Sequence, residues 1–142
     1  MESQEEADAA VVRLQAPYEQ REGMLERHFH CGSLEFPEEE MRCLRAPAAT
    51  VPTAFAVYLD RPAVPTPLAD RAALLIGEFG ARDDVVLDAA LGRTAMEGVL
   101  PFDLPLSMAA TEDAREDVPF DTAAPLFRCG HPHAPPGPGK RT

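Results

Sequence analysis

Polar and apolar positions in this chain fall into blocks, and the blocks set the first expectations. Residues 1–8 are polar and acidic and read as a tail. Ala9, Ala10, Val11, Val12 and Leu14 form a short apolar run, interrupted by Arg13 and ended by Pro17. Such a run suits a strand covered on both faces, as in a parallel sheet. Residues 18–36 lose any period and mix charges, aromatics and glycines, which predicts a long loop of the kind that often carries function. Pro37 followed by Glu38, Glu39 and Glu40 predicts a helix start. Proline fits the first turn, and carboxylates there meet the positive end of the helix dipole. This helix is expected to run to about Leu44 and to be stopped by Pro47.

Residues 53–59 give the clearest strand signal, bracketed by Pro52 and Pro62. A helical turn or two over 68–74 is expected next, then a buried strand over 73–79 ending at Gly80. Residues 83–91 predict a helix in which Val86, Leu87, Ala90 and Leu91 share a face. Asp83 or Asp84 can cap its start, and Gly92 closes it. The stretch 99–105, punctuated by Pro101 and Pro105, reads as an extended edge strand. From there to Phe127 the pattern is irregular, and His131 to Thr142 is a Pro/Gly stretch with little to bury.

Strand and helix in alternation predict an α/β fold: a partial three-layer α/β sandwich with a mainly parallel sheet. Only three or four strands are visible in the sequence. Sheets average about 5–6, so the first strands are expected to be missing. The expected organisation is a polar tail over 1–8, a partial domain over 9–128 and a disordered Pro/Gly-rich tail over 129–142.

Composition narrows the function classes. A length of 142 residues gives room for one domain. The 15 prolines limit helix length, and with no Trp the core must come from Ala, Val and Leu. A formal charge of -11, with Lys140-Arg141 the one basic cluster, argues against nucleic acid and anionic membranes as partners. No apolar stretch approaches the roughly 20 residues of a spanning helix. The acidic N-terminus does not read as a signal peptide, and three irregularly spaced cysteines do not make a disulfide framework, so a cytoplasmic setting is expected. No cofactor is expected: the chain has no Gly-rich phosphate loop, dinucleotide fingerprint or Gly-x-Ser-x-Gly turn.

Several segments, taken in order, carry a family resemblance. They are 12–19 (Val-Arg-Leu-Gln-Ala-Pro-Tyr-Glu), 25–40 with its His28-Phe29-His30 and Phe36-Pro37, and 57–64 with its Leu59-Asp60-Arg61-Pro62. Leu91-Gly92, then 97–105 with Gly98-Val99-Leu100-Pro101-Phe102, and the segment 116–127 complete the set. Together they resemble the later part of the C-terminal α/β domain of family 3 glycoside hydrolases of the β-glucosidase type. The likeness runs collinearly over about residues 9–131. It implies a whole enzyme that hydrolyses terminal β-linked glucosyl or related sugars with retention. The family's barrel, which bears the aspartate nucleophile, has no counterpart in this sequence. Cys129-Gly130-His131-Pro132 also departs from the family's aromatic-Gly-His-Gly segment.

Retaining glycosidases use two carboxylates, one as nucleophile and one as acid/base. The resemblance implies that the acid/base comes from a loop of the C-terminal domain, and Glu19 best matches it, with Glu22 as fallback. Beside Tyr18, a glutamate after a strand end would be partly desolvated and its pKa raised; the plain alternative is a solvated carboxylate paired with Arg21. Asp60 and Arg61, after the central strand, are candidate sugar contacts at the carboxyl edge where α/β sites gather, or a local ion pair. His28, His30 and Cys31, and Cys129, His131 and His133, have spacings unlike structural zinc sites, so no metal is expected. A carbohydrate substrate is expected only within a whole enzyme, alone the chain is expected to be inactive, and a barrel protein is the expected partner. The alternatives are a non-catalytic module docking on a separate barrel subunit, or a truncated relic.

Overall fold

Residues 53–58 are apolar at nearly every position, and the fold buries them on both faces. As β2 (Thr53–Tyr58) they form the middle of a three-stranded parallel sheet in a computed structural model that describes residues 7–133. β1 (Ala10–Gln15) lies on one side and β3 (Leu74–Glu78) on the other. Across the sheet Val57 stands opposite Leu14 of β1 and Gly77 of β3. Alternation then divides the side chains between two layers.

On one face Phe55 and Val57, with Leu59 beyond the strand end, gather Val12 and Leu14 beneath α1 (Glu38–Thr50) and α2 (Thr66–Ala69). Met41, Leu44 and Ala48 of α1 and Leu68 of α2 supply the contacts. On the other face Ala56 and Ile76 meet Val86 and Ala90 of α3 (Asp83–Ala90). Helices on both sides of a parallel sheet make the three-layer α/β architecture. A separate antiparallel ribbon, β4 (Leu104–Pro105) with β5 (Pro125–Phe127), flanks the main sheet, and α4 (Met108–Glu112) lies between its strands in sequence.

Four details differ from the sequence reading. α1 continues through Pro47 to Thr50 instead of stopping near Leu44. Leu44 and Ala48 both pack on the core, and this contact holds the last turn helical despite the missing proline N–H. Asp83 and Asp84 do not cap α3; Asp83 pairs with Arg13 and Asp84 with Arg82. Of the expected strand over 99–105, Leu104–Pro105 forms a strand whose partner is β5 and not the main sheet, and Val99 makes an isolated antiparallel bridge with Pro132. The two prolines of 99–105 cannot donate to a ladder. α4 and β5 were not foreseen, although Ser107 is a readable helix cap: its hydroxyl accepts the Ala110 N–H at 3.2 Å.

At the C-terminal end, Gly130 N–H donates to the Leu100 carbonyl at 2.7 Å and Leu100 N–H to that of His131 at 3.2 Å. Cys129 N–H donates to the buried Asp103 carboxylate at 2.6 Å. Residues 129–133 of the expected tail are therefore paired with 99–103, and 134–142 lie outside the described residues, as do 1–6 of the N-terminal tail. Among the described residues no helix is long and apolar enough to cross a membrane.

Candidate functional site at the carboxyl edge of the sheet

Parallel strands that all end on one side bring their following loops together there. β1 ends at Gln15 and hands on to Pro17, Tyr18 and Glu19, while β2 ends at Tyr58 and hands on to Asp60 and Arg61. The long loop 18–36 folds back on itself, so Glu19 and Cys31 form an antiparallel bridge, with Glu19 N–H donating to the Cys31 carbonyl at 2.8 Å. Its far end is tied down where Val64 N–H donates to the Leu34 carbonyl at 2.8 Å. A short 3-10 turn, Glu26–His28, rounds the tip.

The candidates read from the sequence meet on this edge. Asp60 and Arg61 turn to different partners and form no pair with each other. The Arg61 guanidinium donates to the Gly32 carbonyl at 2.9 Å and to the Pro17 carbonyl at 3.4 Å, bridging both ends of the loop. Asp60 accepts from His30 Nδ1, and from Gln15 Nε2 at 3.5 Å. The His30 ring stacks on Tyr18 with centroids 3.9 Å apart and planes 11° apart. Tyr18 is thus engaged by His30.

Glu19 keeps 56% of its side chain exposed, so the desolvated setting expected for it is not present here. Its carboxylate accepts the Ser33 N–H at 3.2 Å and lies 3.8 Å from the Arg21 guanidinium. Beneath it Gly32 has φ +86°, and a Cβ at that position would stand 2.3 Å from the Glu19 carboxyl carbon. The left-handed backbone favours glycine here, and a Cβ would push the Glu19 side chain aside. Glu19 opens onto a small cavity of ≈ 250 Å³ whose wall includes Tyr18, Gln20, Glu26, Arg27 and His30. Glu22 is exposed and stands outside that wall. The pocket is polar and monosaccharide-sized, with carboxylates and guanidinium groups that can exchange hydrogen bonds with hydroxyls.

A second polar cluster on the same edge went unread in the sequence. Arg13 of β1 pairs with Glu78 at the end of β3 and with Asp83 at the start of α3. Glu78 also accepts from the Gly80 and Ala81 amides, at 2.7 and 2.9 Å. Burial pushes the Glu78 carboxyl up, but these bonds from Arg13, Gly80 and Ala81 outweigh it and hold the group below its usual range. The one available signal was a lone arginine inside an apolar strand. Both Glu78 carboxylate oxygens are used in bonding the strand ends together.

A larger cavity, ≈ 410 Å³, lies along β3 beside α3, walled mainly by Leu75, Ile76, Val85, Val86, Leu100 and Phe127. Its mainly apolar walls offer few groups to bind hydroxyls. Among the described residues no group of three or more His, Cys, Asp and Glu side chains is placed to hold a metal. His30 is engaged by Asp60 and Tyr18, and the His131 ring packs 5.1 Å from that of Phe127.

Known proteins resemble this chain over most of its length. The chain is 44% identical over 131 residues to a probable β-glucosidase C of Aspergillus flavus, covering 92% of this chain and 21% of that protein. It is 44% identical over 127 residues to β-glucosidase C of Emericella nidulans, covering 89% of this chain and again 21% of the relative. It is 36% identical over 135 residues to a periplasmic β-glucosidase/β-xylosidase of Dickeya chrysanthemi, covering 91% and 21%. No family model and no solved structure matches the chain. The chain spans about a fifth of the length of these curated relatives. Over nine-tenths of its own length, then, this chain belongs with the family 3 glycoside hydrolases of the β-glucosidase type.

Proposed function

We propose that the chain acts as the C-terminal wall of a retaining β-glucosidase-type active site, with Glu19 as acid/base. The observation that carries this is the Glu19 carboxylate, fixed over Gly32 and open to a polar cavity at the carboxyl edge of the sheet. In the retaining reaction a carboxylic acid first protonates the departing glycosidic oxygen while a second carboxylate attacks the anomeric carbon. The first group, now a carboxylate, then takes a proton from the water that releases the sugar. Residues 9–128 would form the domain that delivers Glu19, and the attacking aspartate would come from a barrel outside this sequence. The sugar is a terminal β-linked glucosyl or related unit.

Reconstitution with a barrel protein tests this. Glu19→Gln is expected to lower turnover of a nitrophenyl β-glucoside by about 10²–10⁴-fold. Added azide, an anion that needs no general base, should restore much of that loss. Turnover by the purified chain alone, abolished by Glu19→Gln, would contradict the need for a barrel, and unchanged turnover by Glu19→Gln in the assembly would remove Glu19 from the role.

A second reading has its own support. Among the described residues β1 and β3 each pair on one side only within the main sheet, and the apolar groove along β3 is open. Those features fit a module that docks on a separate barrel subunit, where unpaired edges and apolar walls become interface. Three free cysteines support a cytoplasmic setting, whereas the Dickeya relative is named periplasmic. Fractionation of the source cells separates the two.

A further inference from the structure

Asp60 stands out because its partners all belong to the segment that carries Glu19 or to the strand leading into it. Its carboxylate accepts from His30 Nδ1 and from Gln15 Nε2. His30 lies flat against Tyr18 at 3.9 Å, and Tyr18 is bonded in sequence to Glu19. One residue past His30, the Cys31 carbonyl receives the Glu19 N–H, and two residues further the Ser33 N–H reaches the Glu19 carboxylate. A chain of contacts therefore runs from the rigid end of β2, through His30 and Tyr18, to the stance of Glu19. An ionised carboxylate only accepts, so Asp60 fixes the imidazole with its proton on Nδ1.

We infer that Asp60 and His30 are a positioning pair that sets the Glu19 carboxylate over its cavity. Side chains on loops need such supporting bonds, since small misplacements of a reacting group cost rate steeply. Arg61 ties the two ends of the loop together, and the Asp60–His30 pair fixes its orientation against the sheet. The importance of this for catalysis rests on the reading of Glu19 as acid/base. The arrangement itself does not.

Nuclear magnetic resonance on the 142-residue chain tests the pair directly. Long-range nitrogen–proton spectra of the wild type should show the His30 imidazole protonated at Nδ1, with the ring-current shift of a stacked Tyr18. Asp60→Asn and His30→Phe should each speed amide exchange at Glu19 and Ser33 by about tenfold, the effect of losing one charged hydrogen bond, while β2 amides keep their protection. His30→Asn, which retains a donor near the Nδ1 position, should fall between. Wild-type exchange at Glu19 and Ser33 in either of the first two variants overturns the proposal. Loss of β2 protection in both overturns it as well, because Asp60 then supports the fold and not the loop. None of these results depends on turnover, so failure of Glu19→Gln to slow an assembled enzyme is a separate outcome.

Discussion

A guanidinium set in a strand of valines and a leucine needs anions within reach, and Arg13 finds two, on β3 and on α3. The more telling member is Glu78, whose side chain is only 5% exposed. Three donors hold its carboxyl below the ordinary value of 4.5 against the opposing effect of burial. The linkage then has a definite sign. Glu78 contributes its stability in full above pH 4.5, and the contribution is lost as pH falls through the lowered native value. Glu78→Gln is therefore expected to cost about 1 kcal/mol at neutral pH, a low figure because Arg13 is partly exposed. The gap from the wild type should be smaller at pH 3 than at neutral pH. Urea unfolding at the two pH values checks this, and an equal gap at both would show that the charge does not matter. In the sequence Glu78 was only the penultimate residue of a strand, because its partner lies 65 positions away. Glu19, Asp60 and Arg61 were legible as an edge-of-sheet group, but their bonds were not. His30 read as a stray metal candidate until the fold set it beside Asp60.

The elements with the strongest local pattern were the most legible. β1, β2, β3 and α3 lie within a residue or two of their expected bounds, because apolar runs between breakers leave little choice. The rest depends on contacts distant in sequence. β4 and β5 are two and three residues long and exist only as each other's partner. α1 is the clearest conflict, since Pro47 should have ended it and tertiary packing carries it on to Thr50. Such a helix retains a local cost: no N–H is available at Pro47, and its ring crowds the preceding turn. Val51 N–H still donates to the Pro47 carbonyl at 3.0 Å, so the final turn is closed. Replacing the proline should relieve that cost, less the entropy that proline removes from the unfolded chain. Pro47→Ala is expected to stabilise by about 1–2 kcal/mol. A higher urea midpoint with unchanged slope is the expected result, and a lower midpoint would show that the proline ring itself packs usefully.

At the scale of the molecule the sheet is narrow for its architecture. Parallel sheets are ordinarily covered on both faces and wide, and this one has three strands among the described residues, with α3 as its main cover on one face. The consequences are visible along β3. Phe79 is 53% exposed and Val99 56%, and both line the open groove that runs beside that strand. A formal charge of -11 on so small a body adds self-repulsion. These features argue that the isolated chain is poorly stabilised and that burying the groove and the free edges contributes much of the stability in an assembly. The expected outcome is a thermal transition of low midpoint for the purified chain, with bound anilinonaphthalene sulfonate reporting exposed apolar surface. A barrel partner should raise Tm and displace the dye. If instead the chain alone melts at high temperature and binds no dye, the narrow sheet is sufficient. The groove would then be an ordinary surface feature, and the docking reading would lose its support.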